Sequence, residues 1–241
     1  MLRRRLVSQG GPPSCSTCHK FESYLQQKRL IKKRNLLRST KMHGTMQMND
    51  NTEKQTKSEK LLIPFLVAAP ILMVMVLVLL GRSWWCPQGD FSLWSLDIWS
   101  SHNSQHLFDA YSISHIQHGI GLFVVLGLIG IGKGCFALRA MIVATIEASW
   151  EVLENTPLII NRYREATISL DYFGDSISNS LSDYLMCLIG LFVARRIGWE
   201  KSIVLFVILE SISLYWIRDS LILNMLMLVA PNDMIRQWQA I

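Results

Sequence analysis

Four of the chain's six histidines, His102, His106, His115 and His118, fall within residues 101–119 (SHNSQHLFDAYSISHIQHG), among hydroxyls, amides and Asp109. Tyr111, His115 and His118 are spaced i, i+4, i+7, so a helix sets them on one stripe. Two imidazoles on one face become a metal-ligand arrangement when carboxylates converge on them, although a histidine taken singly is more often a hydrogen-bonded structural residue. Carboxylates recur at helical spacing downstream. Glu147, Glu151 and Glu154 repeat the i, i+4, i+7 stripe, while Asp175, Asn179 and Asp183 stand at i, i+4, i+8. Asp175 follows Gly174 and is equally placed to cap a helix. His with Glu and Asp suits Zn²⁺ or Mn²⁺, and Mg²⁺ if carboxylates dominate. On this reading His115, His118, Glu151, Glu154, Asp175 and Asp183 are metal ligands or acid–base groups, supported by His102, His106, Asp109, Tyr111 and Asn179. A metal-free alternative makes His118 a general base oriented by Glu151. Arg162 and Arg164, in RYR, together with Arg218 are candidates for holding an anion such as phosphate, and Arg218 is also a natural counter-ion for a buried carboxylate. No Ser-His-Asp order, P-loop or dinucleotide fingerprint is present.

The elements that must position these groups are apolar blocks of membrane length. Half of the 241 residues are hydrophobic. Residues 61–80 form an uncharged run long enough to cross a hydrocarbon core of about 30 Å, with Pro64 and Pro70 tolerable inside it. Further crossings are expected at 113–134, 136–153, 175–194 and 202–229, the last interrupted by Arg218 and Asp219. Gly127, Gly130 and Gly134 in the second suit close helix packing, the latter two at G-x-x-x-G spacing. Trp84, Trp85, Trp94 and Trp99 between the first two suit an interfacial aromatic belt. The fold expected is therefore an all-α, polytopic membrane bundle of about five transmembrane helices, residues 61–241, behind a disordered basic tail, residues 1–60.

The tail holds 14 Lys+Arg against 4 Asp+Glu, whereas residues 61–241 hold 10 against 14, so the net charge of +6 is a property of the tail. It argues for no nucleic-acid partner of the body. The tail also fits an organelle transit segment or a basic surface helix on anionic lipid. Cys15, Cys18 and His19 have the spacing of a covalent haem attachment site, but in a coreless stretch that cannot enclose a porphyrin, so haem is not expected. With the tail on the cytoplasmic or matrix side of a bacterial or mitochondrial inner membrane, the positive-inside bias sends the His, Glu, Asp and Arg candidates to the opposite face. Such one-sidedness favours a site over polar glue spread through a bundle.

GRSWWC (81–86), NSQHLFDAYSISHIQHG (103–119), SWEVLENTPLIINRYREAT (149–167), GDSISNSLSD (174–183) and IRDSLILNMLML (217–228), taken together and in order, resemble the UPF0314 membrane proteins, also called the DUF2585 family. The resemblance covers about residues 80–240. Ala110 departs from a proline in the family pattern, and Pro87-Gln88 also departs from it. The family implies an integral membrane protein without assigning it an activity. Three functions follow in order of preference. The first is a polar, metal-capable site acting on a lipid or lipid-linked phosphate or acyl substrate. The second is a non-catalytic subunit or assembly factor of a membrane complex, and the third a small transporter. The first requires His115 and His118 to meet the carboxylates of other helices.

Overall fold

The computed structural model describes residues 27–29, 32–34, 36, 56–168 and 171–240. The chain separates into Met1–Lys54 and Gln55–Ile241, and every element below belongs to the second unit. In the first, residues 27–29 and 32–34 are helical. Cys15, Cys18, His19 and most of the tail expected to be disordered lie outside the described residues.

The first helix, α1 (Thr56–Leu79), runs through Pro64 and Pro70 without a break. It turns Ile63, Val67, Ile71, Leu72, Met75 and Leu79 outward and buries Met73 and Leu77. A long irregular segment follows, stitched by a short parallel pairing of β1 (Trp94–Ser95) with β2 (Phe108–Asp109). It presents Trp84, Trp94 and Trp99 on the surface, as an interfacial belt requires. Next come α2 (Ser112–Leu128), α3 (Phe136–Glu154) and the shorter α4 (Pro157–Ala166). The chain ends with α5 (Ile177–Ile197), α6 (Trp199–Ile217), α7 (Leu221–Val229) and α8 (Asp233–Gln239).

By length and composition α1 and α5 qualify as membrane spans, with mean hydropathies of 2.9 and 1.5, and α6 with α7 makes a third only as a pair bent by 74°. That is two or three spans against the five expected from sequence. The physical reasons are local. The expected second crossing, 113–134, stops at Leu128, because Gly130, Gly132 and Gly134 adopt positive φ and build a turn. The remaining 17 residues rise about 26 Å, short of a full hydrocarbon core. In α3 the glutamates and Arg139 lower the hydropathy. The expected fifth crossing breaks where Arg218 takes a left-handed conformation, φ 53°, and Ser220 begins a new helix by accepting from the Leu223 N–H. Glu210 of α6 clamps the break, accepting the Ile222 N–H at 3.0 Å with one oxygen and the Gln117 amide at 2.6 Å with the other.

Gly130 and Gly134 are therefore not the packing glycines. Gly119 and Gly190 are: a Cβ on Gly119 would collide with the Cys187 carbonyl, and one on Gly190 with the Ile116 carbonyl. The α2 and α5 backbones touch there, so the polar residues one and two turns away face each other at short range. The apolar core, including Met73, Leu77, Val143, Ala144, Tyr184 and Leu191, fills the space between α1, α3 and α5 beneath them.

Candidate functional site

At one end of α2, α3 and α5 the interior is polar. His115 and His118 of α2 reach the glutamate stripe of α3, with His115 Nδ1 2.7 Å from Glu147 Oε1 and His118 Nδ1 3.0 Å from Glu147 Oε2. A carboxylate only accepts, so each histidine carries its proton on Nδ1 and turns Nε2 away from Glu147. One buried carboxylate thus fixes the tautomer and orientation of two imidazoles, which meet edge to face at 5.1 Å. Glu151 Oε1 lies 3.3 Å from His115 Nδ1, and Asp183 Oδ2 of α5 lies 3.8 Å from His115 Nε2. Ligand atoms of His115, Glu151 and Asp183 all fall within 4.8 Å of one another, as do those of His115, His118 and Glu147. Glu151 is wholly buried, yet neither of its oxygens has a hydrogen-bond partner. A buried carboxylate that accepts no hydrogen bond costs several kcal/mol unless it holds a proton or a cation.

A cavity opens beside this cluster. It is lined by His115, His118, Asp183 and Glu154, then by Asp109, Tyr111, Asp175 and Asn179, and on the far wall by Tyr163, Ser220, Asn224 and Met225. Acidic and hydroxyl groups dominate, and no lining side chain among the described residues is Lys or Arg.

The loops hold the outer acids in place. Asp175 accepts from the Tyr172 hydroxyl and the Asn155 amide, both at 2.9 Å. Burial still pushes its carboxyl up to about 6, with those two hydrogen bonds opposing. Asp175 is not the N-cap of α5. Ser176 takes that place, its Oγ accepting the Asn179 N–H, because the Asp175 side chain is already engaged. Asn179 donates to the His106 carbonyl at 2.9 Å and ties α5 to the loop before α2. Asp109 holds the turn that enters α2, Oδ1 accepting the Tyr111 and Ser112 N–H groups at 2.8 and 2.9 Å, and burial raises its carboxyl too. Tyr111 belongs to the helix entrance and donates to Asp219 at 3.2 Å.

The three arginines do not join the site. Arg162 donates to the Leu228 carbonyl at 2.7 Å, Arg164 to the Tyr172 carbonyl at 2.5 Å, and Arg218 to the Trp238 carbonyl at 3.2 Å. Each donates to a loop or helix end and none lines the cavity, and among the described residues Arg218 makes no ion pair with an α3 or α5 carboxylate. His102 and His106 stack with ring centroids 5.6 Å apart beside Cys86, away from the cavity-lining histidines. Glu147 is the residue that sequence reasoning left out of the candidate set. Its place on the stripe one turn below Glu151 was the available signal.

Among known proteins, residues 77–241 match the family described as "Protein of unknown function (DUF2585)". A UPF0314 protein of Rhizobium meliloti (strain 1021) is 44% identical over 186 residues, covering 76% of this chain and 94% of its own. Another, of Sphingopyxis alaskensis, is 43% identical over 178 residues, 73% of this chain and 94% of its own. A third, of Paracoccus denitrificans, is 39% identical over 170 residues, 70% and 88% of the two chains. No solved structure matches. A mostly helical chain with membrane-length apolar helices and a buried His/Glu/Asp cluster, it belongs to the UPF0314 (DUF2585) family.

Proposed function

We infer that this is a bacterial inner-membrane protein whose α2–α3–α5 cluster holds a divalent metal ion, with His115, Glu151 and Asp183 as ligands and Glu147 orienting the histidines. The observation that carries this reading is the buried Glu151 carboxylate, without a hydrogen-bond partner and within ligand distance of His115 and Asp183. Nitrogen and oxygen donors together favour Zn²⁺ or Mn²⁺ over Mg²⁺. Such an ion polarises a phosphoryl or acyl oxygen or activates a water. His118, with Nδ1 held by Glu147 and its ring at the cavity, is placed to move a proton; Glu154 and Asp175 line the same cavity.

The cavity's flank supports a lipid-like substrate. α7 lends Ser220, Asn224 and Met225 to the lining while exposing Ile222, Leu226 and Val229 on its outer side. A short amphipathic wall of this kind admits a molecule with a polar head and an apolar tail from the bilayer side, so the reaction assigned is hydrolysis or transfer on a lipid or lipid-linked ester. In the membrane, α2 and α3 complete the bundle of five crossings with α1, α5 and the bent α6–α7 pair. The positive-inside bias assigns the cavity to the non-cytoplasmic face. Because no arginine lines the cavity, an anionic headgroup would be met by the metal alone.

Elemental analysis of the purified full chain is expected to find a divalent metal whose content falls in Glu151→Gln while the protein stays folded. An equal metal content in wild-type protein and Glu151→Gln, with only stability shifted, would replace this reading with a non-catalytic subunit of a membrane complex.

A further inference from the structure

A second constellation lies in the irregular segment between α1 and α2, outside the central cluster. Cys86 Sγ sits 3.4 Å from His102 Nδ1, and His102 Nδ1 sits 3.4 Å from His106 Nε2. The three ligand atoms fall within 4.8 Å of one another. Asp90 supplies a fourth group: its Oδ2 lies 3.8 Å from His102 Nδ1 and 3.6 Å from His106 Nε2. Around a tetrahedral zinc, with bonds of about 2.0 Å to nitrogen and about 2.3 Å to sulfur, neighbouring donors stand roughly 3.3–3.6 Å apart. The spacings of Cys86, His102 and His106 match that geometry, and Asp90 Oδ2 stands a few tenths of an ångström (~0.3–0.5 Å) outside it.

The surroundings are built to hold it. His106 is fully buried, and its Nδ1 donates to the Ser92 carbonyl at 2.6 Å, which leaves Nε2 unprotonated and pointing at His102 and Asp90. That is the usual outer hydrogen bond of a metal-ligating histidine. Cys86 is buried as a free thiol. A turn closed by the Gly89 N–H on the Cys86 carbonyl, with Gly89 at φ 80°, brings the chain back so that Asp90 faces the histidines. The Trp85 indole donates to the Asp90 carbonyl at 2.8 Å, and Asp90 Oδ1 accepts the Ser92 N–H, so Oδ2 is the oxygen left for a ligand.

We propose that Cys86, Asp90, His102 and His106 form a structural zinc site that pins the α1–α2 segment against α5. A thiolate and a carboxylate with two neutral imidazoles balance the charge of Zn²⁺, and the thiolate selects zinc over Mg²⁺ or Mn²⁺. With four protein donors the site is closed, so its role is to fix the loop. The residue after His102 and the one before Gln105 line the central cavity, and the His106 carbonyl receives Asn179 from α5. Zinc here therefore sets one wall of the cavity without touching it.

The test is cobalt substitution of the purified full-length protein. A thiolate bound to Co²⁺ gives a near-ultraviolet charge-transfer band that oxygen and nitrogen ligands do not. The expected result is such a band in wild-type protein and in Glu151→Gln, about one zinc equivalent displacing it, and its loss in Cys86→Ser. Cys86→His, which keeps a ligand and so guards against a simple folding failure, is expected to retain zinc while losing the band. The proposal is overturned if wild-type protein shows no thiolate band, or if the band survives in Cys86→His. Because Glu151→Gln reports on the α2–α3–α5 cluster and Cys86→His on this one, the two can fail separately.

Discussion

Asp175 shows how a single acid can be read by titration. Its carboxyl is raised by burial to about 6 in the folded protein, from an ordinary 3.8. A carboxyl raised on folding adds stability that is complete below the ordinary value and is lost as pH climbs through the folded one. The metal-free protein is therefore expected to lose about 2–3 kcal/mol from this group between pH 4 and pH 6.5, and Asp175→Asn to flatten that part of a melting-temperature profile. An unchanged profile in the variant would show that the acid is not buried as described. At this scale the sequence was informative where groups obey helical spacing. His115 with His118, and Glu151 with Asp183, could be paired on paper because each pair needs only one helix per partner and a common end. Arg162, Arg164 and Arg218 stand outside the cavity, since a guanidinium can donate to any nearby carbonyl and nothing in RYR or IRD reveals which. The convergence of Cys86, Asp90, His102 and His106 depends on a turn and a strand pairing that no period encodes.

Among the elements, the contact of α2 with α5 decides whether the cluster exists. Gly190 presses on the Ile116 carbonyl, so Gly190→Ala must separate two backbones, at an overpacking cost of about 1–3 kcal/mol. A Cβ on Gly121 would meet only the Phe206 side chain, at 3.2 Å. Thermal unfolding in detergent is expected to drop clearly more for Gly190→Ala than for Gly121→Ala; equal losses would contradict this packing. Helix existence was legible from the apolar blocks, and the start of α3 at Phe136 and the break at Arg218 were anticipated. Boundaries set by glycine at positive φ were not, because the same Gly130 and Gly134 that read as a packing motif serve as turn residues once the helix has ended. The roles of Gly119 and Gly190 need both helices in place to be seen.

For the molecule as a whole, polarity runs opposite to that of a water-soluble domain. Leucines, valines and isoleucines of α1 and α6 face outward, while Glu147, Glu151, Asp175 and Asp183 are buried. α3 carries two of those acids and does not qualify as a span by itself. At about 3 kcal/mol for each charged group near a helix centre, α3 has little reason to remain in lipid alone. Its polar partners His115 and His118 are already made when it emerges, whereas α5, which packs on it, is still to be synthesised. On this reasoning α3 is expected to settle in the membrane only once α5, which packs on it, is available. In a chain ended after residue 170, Ala144→Cys, buried in the full protein, is expected to react with a water-soluble maleimide, as read by mass spectrometry, and to be protected in the full chain. Protection in both would mean that α2 alone suffices. The buried acids would then act during synthesis as well, keeping a half-made chain from settling before the helix that covers them has arrived.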